Sequence, residues 1–180
     1  FIVDLSNGNY HLIEKKVVIE GQKTAYFSEK FLEITVPVTT KEQIKEIKKT
    51  VTHIAKKHDE EPYKALATTQ QAIFHQLEEQ DEIDAAAIFD KVFEEKPLAR
   101  EAAQLAITEE RVPEKIAVTN VPKYERKYSK QKFKLDNGIE ITIPSEIYEN
   151  KEMVEFINNP DGSVSVLIKN IESILNKFNA

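Results

Sequence analysis

The sequence contains no cysteine. Disulfides, thiolate metal sites and cysteine nucleophiles are excluded together. Only four glycines occur among 180 residues, and they form no phosphate-cradling loop of either common type. No apolar run approaches the ~20 residues of a membrane-spanning helix, and nothing reads as a signal peptide. No serine sits in a nucleophile-elbow context. Internal repeats and low-complexity linkers are also missing. The histidines are His11, His53, His58 and His75, and the spacing of His53 and His58 does not stack them on one helical face as a zinc pair requires. His58-Asp59-Glu60-Glu61 has metal-ligand chemistry, but a solvated loop between helices explains it more simply. Asp81, Glu82 and Asp84 suit a helix N-terminus, where negative charge is favoured. Neither an enzyme nor a cofactor is expected. An enzyme with a carboxylate metal site stands as the weakest alternative.

What is present is a soluble, charged composition: 41% hydrophobic, 31% charged, net charge −6. Against that acidic total stands one basic stretch, KYERKYSKQKFK, over 123–134. Lys123, Arg126, Lys127, Lys130, Lys132 and Lys134 face a single acid, Glu125, so the stretch carries +5 and the remainder −11. Tyr124, Tyr128 and Phe133 are interleaved. An anionic partner such as nucleic acid explains such a segment. A solvated strand and linker is the plainer explanation.

From Lys130 the pattern alternates. Lys130, Lys132 and Lys134 fall on one strand face; Gln131, Phe133 and Leu135 fall on the other. Asp136-Asn137-Gly138 reads as a turn, after which Ile139, Ile141 and Ile143 resume the alternation. A three-residue loop with Gly138 left-handed pairs Phe133 with Ile141 and Lys134 with Glu140. It keeps one apolar face intact, which a two-residue loop would not.

Residues 1–38 read as strands. A turn at Asn7-Gly8 pairs Leu5 with Tyr10 and Val3 with Leu12. Val17–Ile19 and Thr24–Phe27 flank a second turn at Gly21-Gln22. Ser28 caps a short helix, Glu29–Glu33, before a strand over Ile34–Val38. Phe1 falls within an alternating apolar pattern, so a fragment of a longer protein is expected.

Residues 39–111 read as helical. Thr39 and Glu42 form a capping-box pattern, and Ile44, Ile47, Val51, Ile54 and Ala55 mark one helical face. Further helices are expected over 62–79, 84–94 (with Asp81 as the cap and Ile83 in its core) and 98–109. Residues 41–57 carry +4, with Lys45, Lys48 and Lys56 among six lysines; residues 59–95 carry eleven acids and −9. Either the first helix offers a nucleic-acid face, or neighbouring helices attract one another through opposite charge.

Residues 112–180 return to strands. Lys115–Thr119 is a candidate, with Pro113 and Pro122 stiffening the connections. The hairpin over 130–143 follows, then a helical turn from Ser145 and a second hairpin, Val154–Ile157 with Val164–Ile168. Ile171, Ile174, Leu175 and Phe178 suggest a closing helix. The fold class is α+β, with antiparallel hairpins at both ends flanking a helical bundle. The β parts join one sheet or form two lobes; the division expected is 1–111 and 112–180, or one continuous domain.

KYSKQKFKLDNGIEITIP followed by YENKEMVEFINNPDGSVSVLIKNIESI resembles the C-terminal part of the bacterial nucleoid-associated protein family of the 37-kDa type. HLIEKKVVIEGQKTAYFSEKFLEI and VFEEKPLA are similar to it as well. The resemblance covers nearly the whole chain. It implies a cytoplasmic, nucleoid-associated bacterial protein that binds DNA, with no active-site or DNA-contact motif to carry over. From charge and spacing alone, the expected DNA contacts are Arg126, Lys127, Lys130, Lys132 and Lys134, with Lys45, Lys48 and Lys56 on the first helix. Tyr124 and Tyr128 either stack on bases or pack in the core. The alternative is a protein-interaction or oligomerisation module, forming a homo-oligomer or binding another nucleoid protein, in which the acidic helices bind a basic partner and DNA contact is indirect or resides upstream. No membrane partner is expected.

Overall fold

A computed structural model describes residues 2–3, 10–11, 14–15, 17–19, 21–33 and 38–175. The chain forms two compact units, Phe1–Thr39 and Thr40–Ala180. The class is α+β, and among the described residues the strands form five separate antiparallel pairs. The two β-rich parts therefore share no sheet among those residues.

In the first unit, β1 (Ile2–Val3) pairs with β2 (Tyr10–His11), and Val3 lies opposite Tyr10 rather than Leu12. The register is displaced by two residues from the expected one. Such a slip leaves every side chain on its original face, so apolar alternation does not discriminate against it. Leu5, Asn7, Gly8 and Leu12 lie outside the described residues. β3 (Val17–Ile19) pairs with β4 (Gln22–Thr24), with Ile19 opposite Gln22. Gln22 thus belongs to the strand instead of the turn, and Gly21 supplies the left-handed position with φ 80°. The strand expected to reach Phe27 ends at Thr24, and a π-helix, Tyr26–Phe31, replaces the expected Glu29–Glu33 helix. Ser28 is buried within it instead of capping it; its hydroxyl donates to Glu14 Oε2 at 2.7 Å. That bond, with the N–H groups of Phe27 and Ser28, holds the Glu14 carboxyl below the usual carboxylate range. The strand expected over Ile34–Val38 falls on positions 34–37, outside the described residues.

The second unit is built on four helices. α1 (Thr40–Lys57) begins one residue after Thr39 and buries the expected stripe of Ile44, Ile47, Val51, Ile54 and Ala55. α2 (Pro62–Glu79) starts with proline in its first turn, where the missing N–H costs nothing. α3 (Ala85–Val92) and α4 (Pro97–Thr108) complete the set. The cap of α3 is Asp84, whose carboxylate accepts from the Ala87 N–H at 2.9 Å, and not Asp81. Residues expected to lead into that helix form β5 (Glu82–Asp84), paired with β6 (Lys115–Ala117). The pairing sets Ile83 opposite Ile116, both essentially inaccessible to water. Burying such an aliphatic side chain contributes roughly 1.5–3 kcal/mol, more than the local helical preference it overrides. The β5–β6 pair joins residues on either side of position 111.

β6 falls within the strand expected over Lys115–Thr119, but the connection from it to the hairpin, in which no helix was expected, is helical over 121–128. In α5 (Val121–Tyr128), Asn120 accepts from the Lys123 N–H at 3.2 Å and Pro122 occupies the first turn. Val121, Tyr124 and Tyr128 pack inward on the core. β7 (Lys130–Lys134) and β8 (Glu140–Pro144) then form the expected hairpin, with Phe133 opposite Ile141 and Lys134 opposite Glu140. The Leu135 N–H donates to the Ile139 carbonyl at 2.8 Å, and Gly138 has φ 90°. α6 (Ser145–Glu149) and a last hairpin, β9 (Val154–Asn158) with β10 (Val164–Ile168), follow. The closing helix does not form over 171–175: Ile171, Ile174 and Leu175 are exposed, and Phe178 lies outside the described residues. A short helix without a surface to bury its stripe is marginal in water.

Two buried polar side chains, with a third from α2, fix where the basic segment sits. Gln131 is 3% exposed and donates through Nε2 to the Ala67 carbonyl of α2 at 3.0 Å. From the same helix, Gln70 Nε2 donates to the carbonyls of Tyr128 (3.1 Å) and Lys130 (2.8 Å). Ser145, also buried, donates its hydroxyl to Tyr128 O at 2.7 Å and its N–H to Ser129 O at 2.9 Å. The junction of α5 and β7 is thereby held from α2 on one side and α6 on the other.

Two stability measurements check this description. A Cβ on Gly138 meets no atom within 4 Å, so Gly138→Val should cost about 1 kcal/mol or more through backbone strain alone. Gly138→Asn should cost less, because asparagine tolerates the left-handed region; thermal melts of both variants decide it. Gln131→Leu keeps the volume and removes the amide. It should lower stability by about 1–2 kcal/mol in a urea melt, and a melt matching the parent would show that the amide bond does not hold the hairpin.

Candidate nucleic-acid interface

The periodicity of α1 that buries its isoleucines also sets its cations in line. Lys41, Lys45, Lys48 and Lys56, with Thr52 between, fall on one side of the helix, spaced by one turn. That side meets α5. Together the helices line a groove of about 580 Å³, to which α1 contributes five lysines (Lys49 being the fifth) and α5 contributes Lys127. Ile44 and Tyr128 form its apolar part. Among the described residues, no carboxylate lines it.

Lys127 is held by aromatic rings. Its Nζ lies 5.8 Å from the Tyr124 ring and 5.0 Å from the Tyr128 ring. The rings stack at 6.4 Å. A cation over such faces gains electrostatic attraction without losing its charge. Burial, and secondarily Tyr124, pushes the Tyr128 phenol up to about 12, so it brings no negative charge to the groove at neutral pH. Tyr128 is 6% exposed and belongs to the core. Of the two roles open to it, packing rather than base stacking is the one it fills.

The hairpin contributes the other part of the basic surface. Lys130, Lys132 and Lys134 are exposed, as the alternation requires, while Gln131 is buried and Phe133 half-buried. Lys132 and Lys134 line a second cleft, beside the first, and Lys48 of α1 and Tyr128 of α5 line both. The fold thus brings together Lys45, Lys48, Lys56, Lys127, Lys132 and Lys134. Arg126 and Lys130 are exposed but line neither groove. Lys41 and Lys49 join the set although charge and spacing alone did not single them out; the repeat 41, 45, 48, 52, 56 was the available signal.

Ion pairing separates these cations from the rest of the molecule. Among the described residues, the α1 lysines make a single pair, Lys49–Glu46 at 2.7 Å, within the helix. The acids of 59–95 pair elsewhere: Glu60 with Lys96 at 3.2 Å, Glu82 with Lys115 at 2.8 Å, Glu61 with Lys64. Attraction between α1 and the acidic helices after it is therefore not where its lysines are spent. Lys134 lies 3.9 Å from Glu140 with both groups well exposed, a pairing worth about 0–1 kcal/mol. Unpaired surface cations are the ones available to phosphate, because no existing bond has to break.

Among the described residues, no cluster of three or more histidine or carboxylate side chains could hold a metal ion. No helix among them is long and apolar enough to cross a membrane.

A family model described as nucleoid-associated protein YejK matches residues 2–176. No curated protein and no solved structure matches the chain. The match runs through both units, including the hairpin, the helices and the basic segment between them, and the chain belongs to this nucleoid-associated protein family.

Proposed function

We propose that this chain binds DNA without catalysis, weakly and largely without sequence preference, as part of a larger nucleoid-associated protein. On this reading it works on the nucleoid in the bacterial cytoplasm. The observation that carries the proposal is that Lys48 and Tyr128 belong to both basic grooves. One strand backbone can then engage Lys45, Lys48 and Lys56 of α1, Lys127 of α5, and Lys132 and Lys134 of the hairpin. Arg126 and Lys130 lie at the margin and assist through longer-range attraction. Phosphate contacts of this kind position a protein on DNA but carry no sequence information. The net charge of −6 limits affinity, and screening confines that repulsion to about 10 Å at 0.1 M salt.

A second reading is a protein-interaction or oligomerisation module. Exposed apolar side chains on β10 and beyond it favour this reading: Leu167 (45%), Ile168 (53%) and Ile171 (53%). DNA contact then resides outside this chain.

Fluorescence anisotropy of a labelled duplex at low ionic strength tests the first reading. Engagement of about three to five phosphates gives a log–log salt slope of roughly −3 to −4.5. The triple change Lys45→Glu, Lys48→Glu, Lys56→Glu should abolish binding, and so should Lys130→Glu, Lys132→Glu, Lys134→Glu. Both sets are exposed, so the melts should stay near that of the parent. Loss with only one set would divide the face in two. No binding by the parent, with self-association in sedimentation, would favour the second reading.

A further inference from the structure

Beside the α1–α5 groove, α2, β7 and β10 enclose a cleft of about 680 Å³, a volume inside the ~300–1,000 Å³ range of small-ligand sites. Its walls are aromatic and aliphatic, with Tyr63, Leu66, Phe133, Phe156 and Val164 among them. The rings of Phe133 and Phe156 are 5.1 Å apart and those of Tyr63 and Phe156 5.9 Å apart, so they form one continuous wall. Lys48, Lys132 and Lys134 also line it, against a single acid, Asp136. An aromatic cavity bordered by cations matches a flat, largely apolar group joined to an anion.

We propose that this cleft receives an unpaired base from a DNA strand whose phosphates lie on the lysines. The protein then prefers single-stranded or locally opened DNA to intact duplex. The proposal rests on the DNA-binding reading and adds the state of the DNA that is bound. Continuity supports it: because Lys48 and Tyr128 are common to both grooves, a strand following the α1 lysines passes the cleft. Charge complementarity supports it too, since Lys48, Lys132 and Lys134 line the cleft against the single acid Asp136. A duplex keeps its bases paired and stacked, and delivering one to the cleft requires extruding it. Stacking on aromatic side chains is tolerant of base identity, which fits weak sequence preference.

The test compares three labelled probes by anisotropy: a mixed-sequence single strand, the same strand with abasic sites at alternate positions, and the corresponding duplex. The single strand should bind about tenfold tighter than the duplex, the scale set by stacking one base. The abasic strand should lose that advantage. Val164 lines the cleft and is 42% exposed, so Val164→Trp fills the cleft at a position that tolerates bulk. This variant should bind the single strand no better than the duplex, with duplex affinity unchanged. Equal affinity of the parent for all three probes overturns the cleft proposal and leaves the DNA-binding reading standing. A single-strand preference that survives both abasic substitution and Val164→Trp also overturns it. Failure to bind any probe overturns both.

Discussion

Side-chain amide bonds between α2 and the α5–β7 junction, one of them buried, are the constraint on which the basic face depends. Gln131 reaches from β7 to the Ala67 carbonyl, and Gln70 reaches from α2 to the carbonyls of Tyr128 and Lys130. Leaving the buried Gln131 amide unpaired costs about 1–3 kcal/mol, a sizeable part of a domain's stability, and a shift of the hairpin along α2 would break the Gln70 bonds as well. α2 in turn packs on α1 across the core that contains Ile47, Val51 and Ile73. The positions of Lys127 and Lys132 relative to Lys48 are thus set by buried contacts, while the charged groups themselves remain in water. This division suits electrostatic binding: long cationic side chains stay hydrated until phosphate arrives, and the backbone that carries them is already ordered.

The charge pattern acquires a physical sense from this geometry. Acids of the 59–95 stretch engage cations other than those of α1, namely Lys96, Lys115 and Lys64. The α1 side facing α5 keeps its cations without such partners among the described residues. A protein of net charge −6 can in this way present a local positive field. Because screening at physiological salt acts over about 8 Å, a phosphate on this face responds mostly to the lysines around it. Acids more than a screening length away act more weakly.

Much of this was legible in the sequence where one residue pattern had one structural solution. Leu135 to Gly138 fixed the hairpin register, because only the three-residue loop keeps Phe133 and Ile141 on one face. The buried stripe of α1 followed from spacing alone. What escaped was set by tertiary partners. β5 exists because Ile116 lies opposite Ile83, a pairing across more than a helix pair of intervening chain that no local signal announces. α5 is short, and its inward residues Val121, Tyr124 and Tyr128 read equally well as apolar residues scattered through a basic linker. β1 and β2 slipped by two residues, the one error that apolar alternation permits. For the interface, both sets of lysines were visible from charge and period. That they border adjoining grooves depended on α5 being a helix packed on α2, across a groove from α1, which the sequence did not disclose.

The most direct test of a single face is a titration of isotopically labelled protein with short DNA, followed residue by residue by NMR. The account expects amide shifts along Lys45–Lys56 of α1 and across Lys127–Lys134 to move together, with one shared midpoint. Resonances of α3 and of the outer side of α4 should stay in place. Shifts confined to one of the two segments, different midpoints for the two, or perturbation centred on the acidic helices would contradict it.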